Sequence, residues 1–416
     1  MSTSGLSETS PRKETRALYV TSFPTKSYRR PIMAARALNL LGIRPIIVEG
    51  WRVVEALKPA RLIASISRSF PSPLNWISRD IAYELGTFKT TSSVSPSLCF
   101  NLNVVGAVGM RMAARDKPLV LDLQDFTIQD DHTIPFYDEQ MFKASTPDLV
   151  IFTSESIRKL VESRYPKLLK RTAYIPFGID LATFDRHYMP ADPKLLRSYI
   201  SATDKLLMVY TGAAYLWGNR EGQGIELLLR AAKLVVSEIP NTRLVIQGAA
   251  RPGSRVYAWI EAWIRRLGLE GHVVLLPPME PYAPLRMSML KTADVLLLPI
   301  GDVLGTYYSP QQKLFEYMAA SRPLAMVATP ARLSVIDEKG AYIAWNREPS
   351  DFAAVIMEAL TDREEASARA AYARRLVELK YDWRLLIPQY AEQIKLLLET
   401  WGPPLSSITS LNEPQY

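Results

Sequence analysis

Short unbroken apolar runs alternate with longer amphipathic segments along nearly the whole chain. Because the apolar residues in these runs are consecutive rather than alternating, the runs are typical of parallel strands buried on both faces of a sheet. Strand–helix alternation predicts an α/β protein with parallel sheets. The predicted strands are Ala17–Phe23, Arg44–Val48, Pro118–Leu123, Asp148–Phe152, Lys205–Thr211, Arg243–Gln247, Val273–Leu276, Asp294–Pro299 and Pro323–Val327.

Helical spacing is clear in two of the intervening segments. In the first, apolar residues recur at i, i+4, i+7 and i+8, and Gly42 then supplies a C-terminal stop. In the second, apolar residues fall on one face of a long helix, which Pro388 should kink. This stripe must pack against another part of the protein. The two sets are Met33, Ala37, Leu40 and Leu41, and Trp383, Ile387, Tyr390, Ile394, Leu397, Leu398 and Trp401.

The chain divides near Ile175–Arg186, where one α/β set ends and a second follows from Lys205. Each set is long enough for its own doubly wound sheet. We therefore expect one domain over residues 16–186 and a second over 187–382. Residues 383–401 should form the kinked helix that packs on the first domain. The Ser- and Pro-rich ends, 1–15 and 402–416, are expected to be disordered tails.

Composition supports a folded protein and excludes several classes. Of 416 residues, 48% are hydrophobic and 22% are charged, which is the balance of a globular chain with a core. A single cysteine, Cys99, and three scattered histidines exclude a disulfide scaffold and argue against a zinc or other metal centre. No apolar run approaches the roughly 20 residues that a membrane span needs. The polar first fifteen residues do not resemble a secretory signal, so we expect a cytoplasmic protein.

Charge is concentrated at the N-terminus. Residues 1–121 contain 17 Lys and Arg against 7 Asp and Glu, a balance of +10, whereas the rest of the chain has a balance of −2. This asymmetry indicates an anionic partner, such as a phosphorylated substrate or an anionic membrane surface. The apolar segment Phe70–Ile77 lies among further arginines and could belong to an interfacial patch. A thermophile-style arginine surface explains the charge equally well. Nucleic acid is not expected, because no nucleic-acid motif accompanies the charge.

Residues 307–325, YYSPQQKLFEYMAASRPLA, carry the most informative pattern. Ser309 suits an N-cap, Pro310 suits the first helical position, and Gln312 would complete a capping box. The predicted helix follows a strand and a glycine-containing loop. A helix N-terminus in that position presents free N–H groups and a positive dipole end, which is a common setting for a phosphate.

Two charged residues follow on this helix. Lys313 in the first turn adds a positive charge beside the expected phosphate, and Glu316, one turn further on, could accept hydrogen bonds from a ribose diol. The alternative is that Lys313 and Glu316 form only an exposed i,i+3 ion pair, which is common on helices.

The run SPQQKLFEYMAASRPLAM resembles the signature of glycosyltransferase family 4, matching it at about nine positions in order. TGAAYLWGNREGQGIELLLRAA and NTRLVIQGAA resemble the opening strand–loop–helix and the second strand of that family's donor domain. YIPFGIDLATF resembles its linker motif. The resemblance covers residues 148–401 well and the first 120 residues weakly.

The resemblance implies a GT-B architecture, in which two Rossmann-like domains face a cleft. It also implies a retaining, metal-independent glycosyltransferase with no cofactor, which uses a nucleoside diphosphate sugar as co-substrate. The donor would lie in the C-terminal domain against Gly212, Gln223, Ser309, Pro310, Gln312, Lys313 and Glu316, with Glu316 on the ribose. The acceptor would lie in the N-terminal domain and be a lipid-linked, phosphorylated or cell-surface glycan. The enzyme would then work as a peripheral protein at the inner face of the cell membrane.

This chain departs from the family pattern where the donor diphosphate should bind. Tyr308 stands where the family often has the first carboxylate of its Glu-x7-Glu pair. Ala213 and Gln223 stand where an arginine and a lysine usually clamp the diphosphate. Charge on the leaving group must still be neutralised. Lys313 and Arg220 are the remaining candidates for that catalytic role, although Arg220 could equally be a solvent-exposed loop residue.

The N-terminal domain offers weaker candidates. Lys26, Arg29 and Arg30 crowd the start of a helix where the family typically has a glycine pair, and they could contact an acceptor phosphate or simply form a basic surface. Asp125 matches the last residue of the family's Asp-x-His-Asp, with Gln124 in place of the histidine. Asp125 is a third catalytic candidate, and a helix-capping role is the alternative.

One other function class remains open, and two more are disfavoured. A catalytically impaired GT-B protein that binds a nucleotide sugar would also explain the missing cations and carboxylate. A nucleotide-sugar epimerase would need acidic and histidine residues in the cleft, and the three scattered histidines argue against it. No G-x-G-x-x-G follows a strand, which argues against a dinucleotide oxidoreductase.

Overall fold

The computed structural model describes residues 15–21, 29–49, 52–55, 58, 62–63, 74–124, 128, 134–186, 193–217, 220–301 and 305–401. Two six-stranded parallel sheets with flanking helices account for most of them. The α/β class predicted from the alternating pattern is therefore confirmed.

The first sheet has the strand order β2-β1-β3-β4-β5-β6. Its strands are β1 (Arg16–Thr21), β2 (Arg44–Glu49), β3 (Leu98–Leu102), β4 (Leu119–Leu123), β5 (Leu149–Phe152) and β6 (Thr172–Tyr174). Its helices are α1 (Arg30–Leu40), α2 (Arg52–Glu55), α3 (Leu74–Val94), α4 (Ala107–Ala113), α5 (Phe136–Ser145) and α6 (Glu155–Arg164).

The second sheet has the order β11-β10-β7-β12-β13-β14, and a two-stranded hairpin, β8–β9, lies beside it. The strands are β7 (Leu206–Thr211), β8 (Leu216–Trp217), β9 (Arg220–Glu221), β10 (Thr242–Gln247), β11 (Val273–Leu276), β12 (Val295–Leu298), β13 (Leu324–Val327) and β14 (Tyr342–Ala344). The helices are α7 (Leu181–Arg186), α8 (Pro193–Tyr199), α9 (Ile225–Glu238), α10 (Arg255–Leu267), α11 (Pro284–Thr292), α12 (Gly305–Tyr308), α13 (Gln312–Ala319), α14 (Pro330–Leu333), α15 (Pro349–Thr361) and α16 (Arg363–Leu376). A π-helical turn (Val377–Tyr381) and α17 (Trp383–Trp401) complete the described chain.

All nine predicted strands are present, with ends that differ by one or two residues. The pattern missed β3, β6 and β14, and also the two short strands of the β8–β9 hairpin. In β3 the apolar run is interrupted by Asn101, which is fully buried and whose Nδ2 donates to the carbonyl oxygens of Asn103 and Val105. A polar residue satisfied in this way by the loop after the strand hides the strand from a hydrophobicity pattern.

Helix α1 confirms one part of its prediction and corrects another. Met33 and Ala37 are buried, and Gly42 ends the helical segment with a φ of +69°. Leu40, expected on the buried stripe, is 51% exposed, and Leu38 takes the buried position instead. The buried face of α1 therefore includes Leu38 and excludes Leu40, the i+7 position of the predicted stripe.

The chain crosses between the two sheets twice, and the two crossings are hydrogen-bonded to each other. The backbone N–H of Ile179 donates to the carbonyl of Tyr381 at 2.9 Å, and that of Trp383 donates to the carbonyl of Ile179 at 3.0 Å. The predicted boundary at residues 186/187 remains a prediction. The side chains of Phe177 and Phe184 pack in the core of the second sheet.

Helix α17 packs on the first sheet through its apolar stripe. Tyr390 and Ile394 are fully buried among first-sheet residues such as Tyr19 and Phe100. Pro388 lies inside this helix. The C-terminal end of the described chain is thereby fixed to the N-terminal domain.

No helix within the described ranges is long and apolar enough to cross a membrane. Of the predicted interfacial segment Phe70–Ile77, residues 70–73 lie outside the described residues, and α3 begins at Leu74. Both predicted tails also lie outside them, except Thr15.

Candidate functional site

Helix α13, which carries the predicted phosphate site, begins later than expected. It starts at Gln312, its N-cap is Gln311, and no side chain caps it. Ser309 and Pro310 are buried in the segment before the helix, so the predicted capping box is wrong. The Gln312 side chain instead donates through Nε2 to the carbonyl of Gly178 at 2.9 Å. This bond joins α13 to the first crossing between the sheets.

Lys313 lies in the first turn of α13 and points beneath the carboxyl end of β7. Its Nζ donates to Tyr210 Oη at 2.8 Å and to Gln223 Oε1 at 2.9 Å. Burial and the nearby charge of Arg332 lower the pKa of Lys313 to about 7, and the carboxylates of Glu221 and Glu316 oppose this only in part. Lys313 and Glu316 do not pair with each other, so the exposed ion-pair interpretation is wrong.

Gly212, directly after β7, makes room for this lysine. Its φ is +134°, and a Cβ built on it would lie 2.7 Å from Nζ of Lys313. Any larger residue would both strain the backbone and displace the amine. Ala213, the position of the family's arginine, is exposed.

A carboxylate, not a cation, occupies the start of α9. The buried Glu221 accepts backbone N–H bonds from Gln223 at 2.6 Å and from Ile225 at 2.8 Å, and another from Gly224. Burial raises its pKa, and these N–H groups oppose the rise. Glu221 already accepts hydrogen bonds from the free N–H groups at the start of α9. An incoming phosphate would therefore bind at the start of α13 instead.

Glu316 lies one turn after Lys313 and accepts a hydrogen bond from Nη2 of Arg286 on α11. Arg286 is almost fully buried and also donates to the carbonyl of Pro281 at 2.6 Å. The Glu316 side chain is 14% exposed. Arg286 thus fixes the direction of a carboxylate that still reaches the space between the domains.

That space is a small cavity lined from both domains. The crossing segment 177–180 forms one wall of this cavity, and Gln312 and Glu316 line it from α13. Tyr282 and Arg29 also line it and face each other. The Arg29 guanidinium carbon lies 4.4 Å from the centroid of the Tyr282 ring. Nε of Arg29 is buried and has no hydrogen-bond partner among the described residues.

Arg30, predicted to contact an acceptor phosphate, is engaged inside the first domain. Its Nε donates to Asp122 at 2.7 Å, and Asp122 also accepts from the hydroxyls of Tyr19 at 2.8 Å and Tyr390 at 3.0 Å. Burial alone would lower the pKa of Arg30, but the Asp122 carboxylate raises it. Arg30 lines the same cavity, and its Nη2 is buried with no partner in the described part of the chain.

Three predicted residues cannot be placed. Lys26 and Asp125 lie outside the described residues. Arg220 is described only as backbone in β9. Gln124, directly after β4, is fully buried, and neither its side-chain oxygen nor its side-chain nitrogen has a hydrogen-bond partner in the described ranges.

Sequence analysis missed two arginines that complete the site. Arg286 falls among apolar residues on α11, and Arg332 is completely buried at the end of α14. Arg332 donates to the carbonyls of Leu298 and Pro299 at 2.9 and 2.7 Å. An arginine inside an apolar segment was the available signal, since arginine is rarely buried without several acceptors.

Comparison with known proteins agrees with this arrangement. Residues 207–362 match the family model described as "Glycosyl transferases group 1". This segment holds Gly212, Gln223, Lys313 and Glu316. Residues 207–362, in the second domain, are therefore similar to the group 1 glycosyl transferases. A curated relative, the D-inositol 3-phosphate glycosyltransferase of Geodermatophilus obscurus, is 26% identical over 240 residues. That alignment covers 56% of this chain and 49% of the relative, about half its length.

Solved structures extend the likeness of the group 1 domain to the whole described fold. Sucrose-phosphate synthase from Thermosynechococcus elongatus has a TM-score of 0.71 at 15% identity, covering 92% of this chain and 99% of that one. Anabaena HepE in complex with UDP-glucose has a TM-score of 0.66 at 16% identity, covering 92% and 100%. A trehalose-6-phosphate structure from E. coli, bound with UDP-2-fluoro glucose, has a TM-score of 0.68 at 14% identity, covering 92% and 99%. The fold is GT-B, as the sequence resemblance implied.

Proposed function

We propose that this protein transfers a sugar from a nucleoside diphosphate sugar to an acceptor, with the donor held by the second domain. The observation that carries the proposal is Lys313. It is a largely buried amine at a helix N-terminus, and its hydrogen-bond partners among the described residues are a hydroxyl and an amide oxygen rather than a carboxylate. A buried cation normally has an anionic partner. The donor diphosphate would supply that partner.

The other donor contacts follow from the position of the diphosphate. Glu316 lies one helical turn beyond Lys313, so its carboxylate would accept hydrogen bonds from the ribose diol. Gly212, Gln223 and Gln312 would line the donor, with Gln223 acting through its bond to Lys313. HepE was solved with UDP-glucose, which makes UDP-glucose the first donor to try.

In the reaction, the acceptor oxygen forms a bond to the anomeric carbon as the bond to the diphosphate breaks. Lys313 would neutralise the charge that develops on the leaving diphosphate. Arg220 and Asp125 remain proposed catalytic residues. Retention of configuration, no metal requirement and no cofactor are part of the proposal and rest on the family resemblance.

The acceptor is proposed to carry a phosphate. Arg29 and Arg30 line the cavity, and each has a buried N–H group with no partner among the residues that the structure describes. Lys26 lies close by in sequence. The curated relative is named for an inositol phosphate acceptor, in line with this proposal. A lipid-linked phosphate would also explain the +10 balance of residues 1–121. In that case the protein would work as a peripheral protein at the inner face of the membrane.

The test is acceptor-dependent release of nucleoside diphosphate. UDP-, GDP- and ADP-sugars are incubated with the protein, with and without phosphorylated sugars or lipid phosphates. Release that needs both substrates supports a transferase. Tight nucleotide binding with no release under any combination would support the catalytically impaired alternative. Sedimentation with anionic but not neutral vesicles, reversed by salt, would support the membrane location, and equal sedimentation with both would refute it.

A further inference from the structure

Gln311, the residue before α13, has a backbone conformation that non-glycine residues rarely adopt. Its φ is +65° and its ψ is 138°. Such a conformation costs about 1–3 kcal/mol and persists where surrounding contacts hold it. In Gln311 the contacts belong to the side chain. Its Oε1 accepts from Nη2 of Arg332 at 3.0 Å, and its Nε2 donates to Oε1 of Gln223 at 3.1 Å.

Arg332 is fixed far more rigidly than a typical arginine. Its Nη1 donates to the carbonyls of Leu298 and Val327 at 2.9 and 2.8 Å, and its Nη2 donates to that of Pro299 at 2.7 Å. These carbonyls lie at the carboxyl ends of β12 and β13. The remaining Nη2 hydrogen goes to Gln311, so the guanidinium presents one donor to that side chain from a fixed point.

The direction of the two amides follows from this fixed donor. A guanidinium can only donate, so the amide oxygen of Gln311 must face Arg332 and its NH₂ must face away. The NH₂ group of Gln311 donates, so Gln223 must present its side-chain oxygen to it as the acceptor. The oxygen of Gln223 is thereby oriented toward Nζ of Lys313, 2.9 Å away, while the Gln223 NH₂ donates to Tyr215 Oη at 3.2 Å.

We propose that Arg332 and Gln311 are positioning residues that hold Lys313 for the donor diphosphate by fixing the acceptor oxygen of Gln223. The inference rests on the proposed function and adds two residues to it. With Gln223 Oε1 and Tyr210 Oη as acceptors, two of the three ammonium N–H bonds are used and one is left for a phosphate oxygen. A glutamine at the position of the family's lysine is then part of the site, because it orients a different cation.

The experiment compares Gln311→Met with wild type. Methionine keeps the length of the side chain and removes the amide, so Gln223 is free to turn. We expect kcat/KM for the donor to fall about tenfold. We also expect the alkaline limb of the kcat profile to move to lower pH, because the ammonium loses an acceptor. The pKa of Lys313, followed by its ¹³Cε resonance and assigned by its loss in Lys313→Met, should fall in parallel.

A double-mutant cycle separates positioning from general destabilisation. In a Gln223→Ala background the connection is already cut, so Gln311→Met should lower kcat/KM by less than about twofold more. Gln247→Met is the matched control. It removes another amide, whose Nε2 donates to the carbonyl of Pro277 at 3.0 Å, and should leave the Lys313 pKa unchanged.

An undiminished effect in the Gln223→Ala background, or an unchanged Lys313 pKa, would overturn the proposal. Gln311→Met decides the matter rather than Arg332→Met, because the Arg332 charge itself lowers the pKa of Lys313 and its removal would raise that pKa. The resonance can be followed without any substrate, so this result stands apart from a failure of wild type to turn over nucleotide sugars.

Discussion

The Glu316 carboxylate is paired with Arg286, 30 residues before it in the chain, and not with Lys313 in the preceding turn of its own helix. The two charges of α13 therefore have separate partners. Glu316 is directed by an arginine from α11, and Lys313 is held by the hydroxyl of Tyr210 and the amide of Gln223. An ion pair between Lys313 and Glu316 would have neutralised both charges. Their separation leaves a cation and a carboxylate one helical turn apart, the spacing of a diphosphate and a ribose.

Glu316→Gln should weaken nucleoside diphosphate binding by about 10- to 100-fold, because a charged acceptor of ribose hydroxyls contributes about 1.5–3 kcal/mol. The effect should depend on the ribose. Wild type should prefer a ribonucleotide to its 2′-deoxy form, and Glu316→Gln should not, as calorimetric titration with both ligands would reveal. Glu365→Gln, an exposed glutamate on α16 that pairs with Arg369, is the control. The same preference in Glu316→Gln as in wild type would place the ribose elsewhere.

Lys313→Met should make the protein more stable and less active. Burial lowers the pKa of Lys313 from its ordinary 10.5 to about 7, so the fold carries a buried amine that the unfolded chain would keep protonated. The stabilisation by methionine should be largest below pH 7 and should fade as pH rises to about 10.5. We expect the melting temperature to rise by at least about 2 °C at pH 6, while kcat falls. A lower melting temperature at pH 6 would contradict the burial of an uncompensated amine.

Donor binding should take up a proton above neutral pH. The free protein loses the Lys313 proton near pH 7, and a bound diphosphate favours the ammonium, so affinity should fall as pH rises above 7. Titration calorimetry at pH 8 in two buffers of different ionisation enthalpy measures the uptake, which should approach one proton and disappear in Lys313→Met. Uptake that persists in the variant would assign the proton to another group.

Gly212→Ala should lower activity far more than Gly271→Ala. A Cβ at Gly212 would lie 2.7 Å from Nζ of Lys313, whereas one at Gly271 would have no atom within 4 Å. The alanine would push the amine off Gln223, and kcat/KM should fall at least about tenfold. Donor kinetics of the two variants measure the difference. Equal kinetics in both would show that Lys313 does not depend on the space that Gly212 leaves.

The sequence was most informative where local patterns decide the structure. Consecutive apolar residues predict parallel strands that are buried on both faces of a sheet. The apolar stripe on α17 predicts that this helix packs on another surface. The start of α13 could not be predicted, because Gln311 is held by Arg332, which is 21 residues away in the chain. Propensity favoured Ser309 as a cap, and a tertiary contact overrode it.

The site was predicted only in part, because contacts between residues far apart in the chain also decide its geometry. Lys313 and Glu316 follow from helical spacing, but their partners Tyr210 and Arg286 are 103 and 30 residues distant. Arg30 was expected at an acceptor phosphate, yet its Nε donates to Asp122 and its Nη1 donates to the carbonyl of Pro176, both of them distant in the chain. Spacing along one element shows which side chains share a face, and only the packed fold shows which groups from other elements meet them.

The most direct test of the account is the binding of nucleoside diphosphates measured by calorimetry. UDP, GDP and ADP are titrated into wild type, Glu316→Gln, Lys313→Met and Glu365→Gln at pH 7. At least one nucleotide should bind wild type and Glu365→Gln equally, and bind the two site variants at least about tenfold more weakly. No binding of any of the three to wild type, or equal binding to all four proteins, would contradict the placement of a nucleoside diphosphate sugar at Lys313 and Glu316.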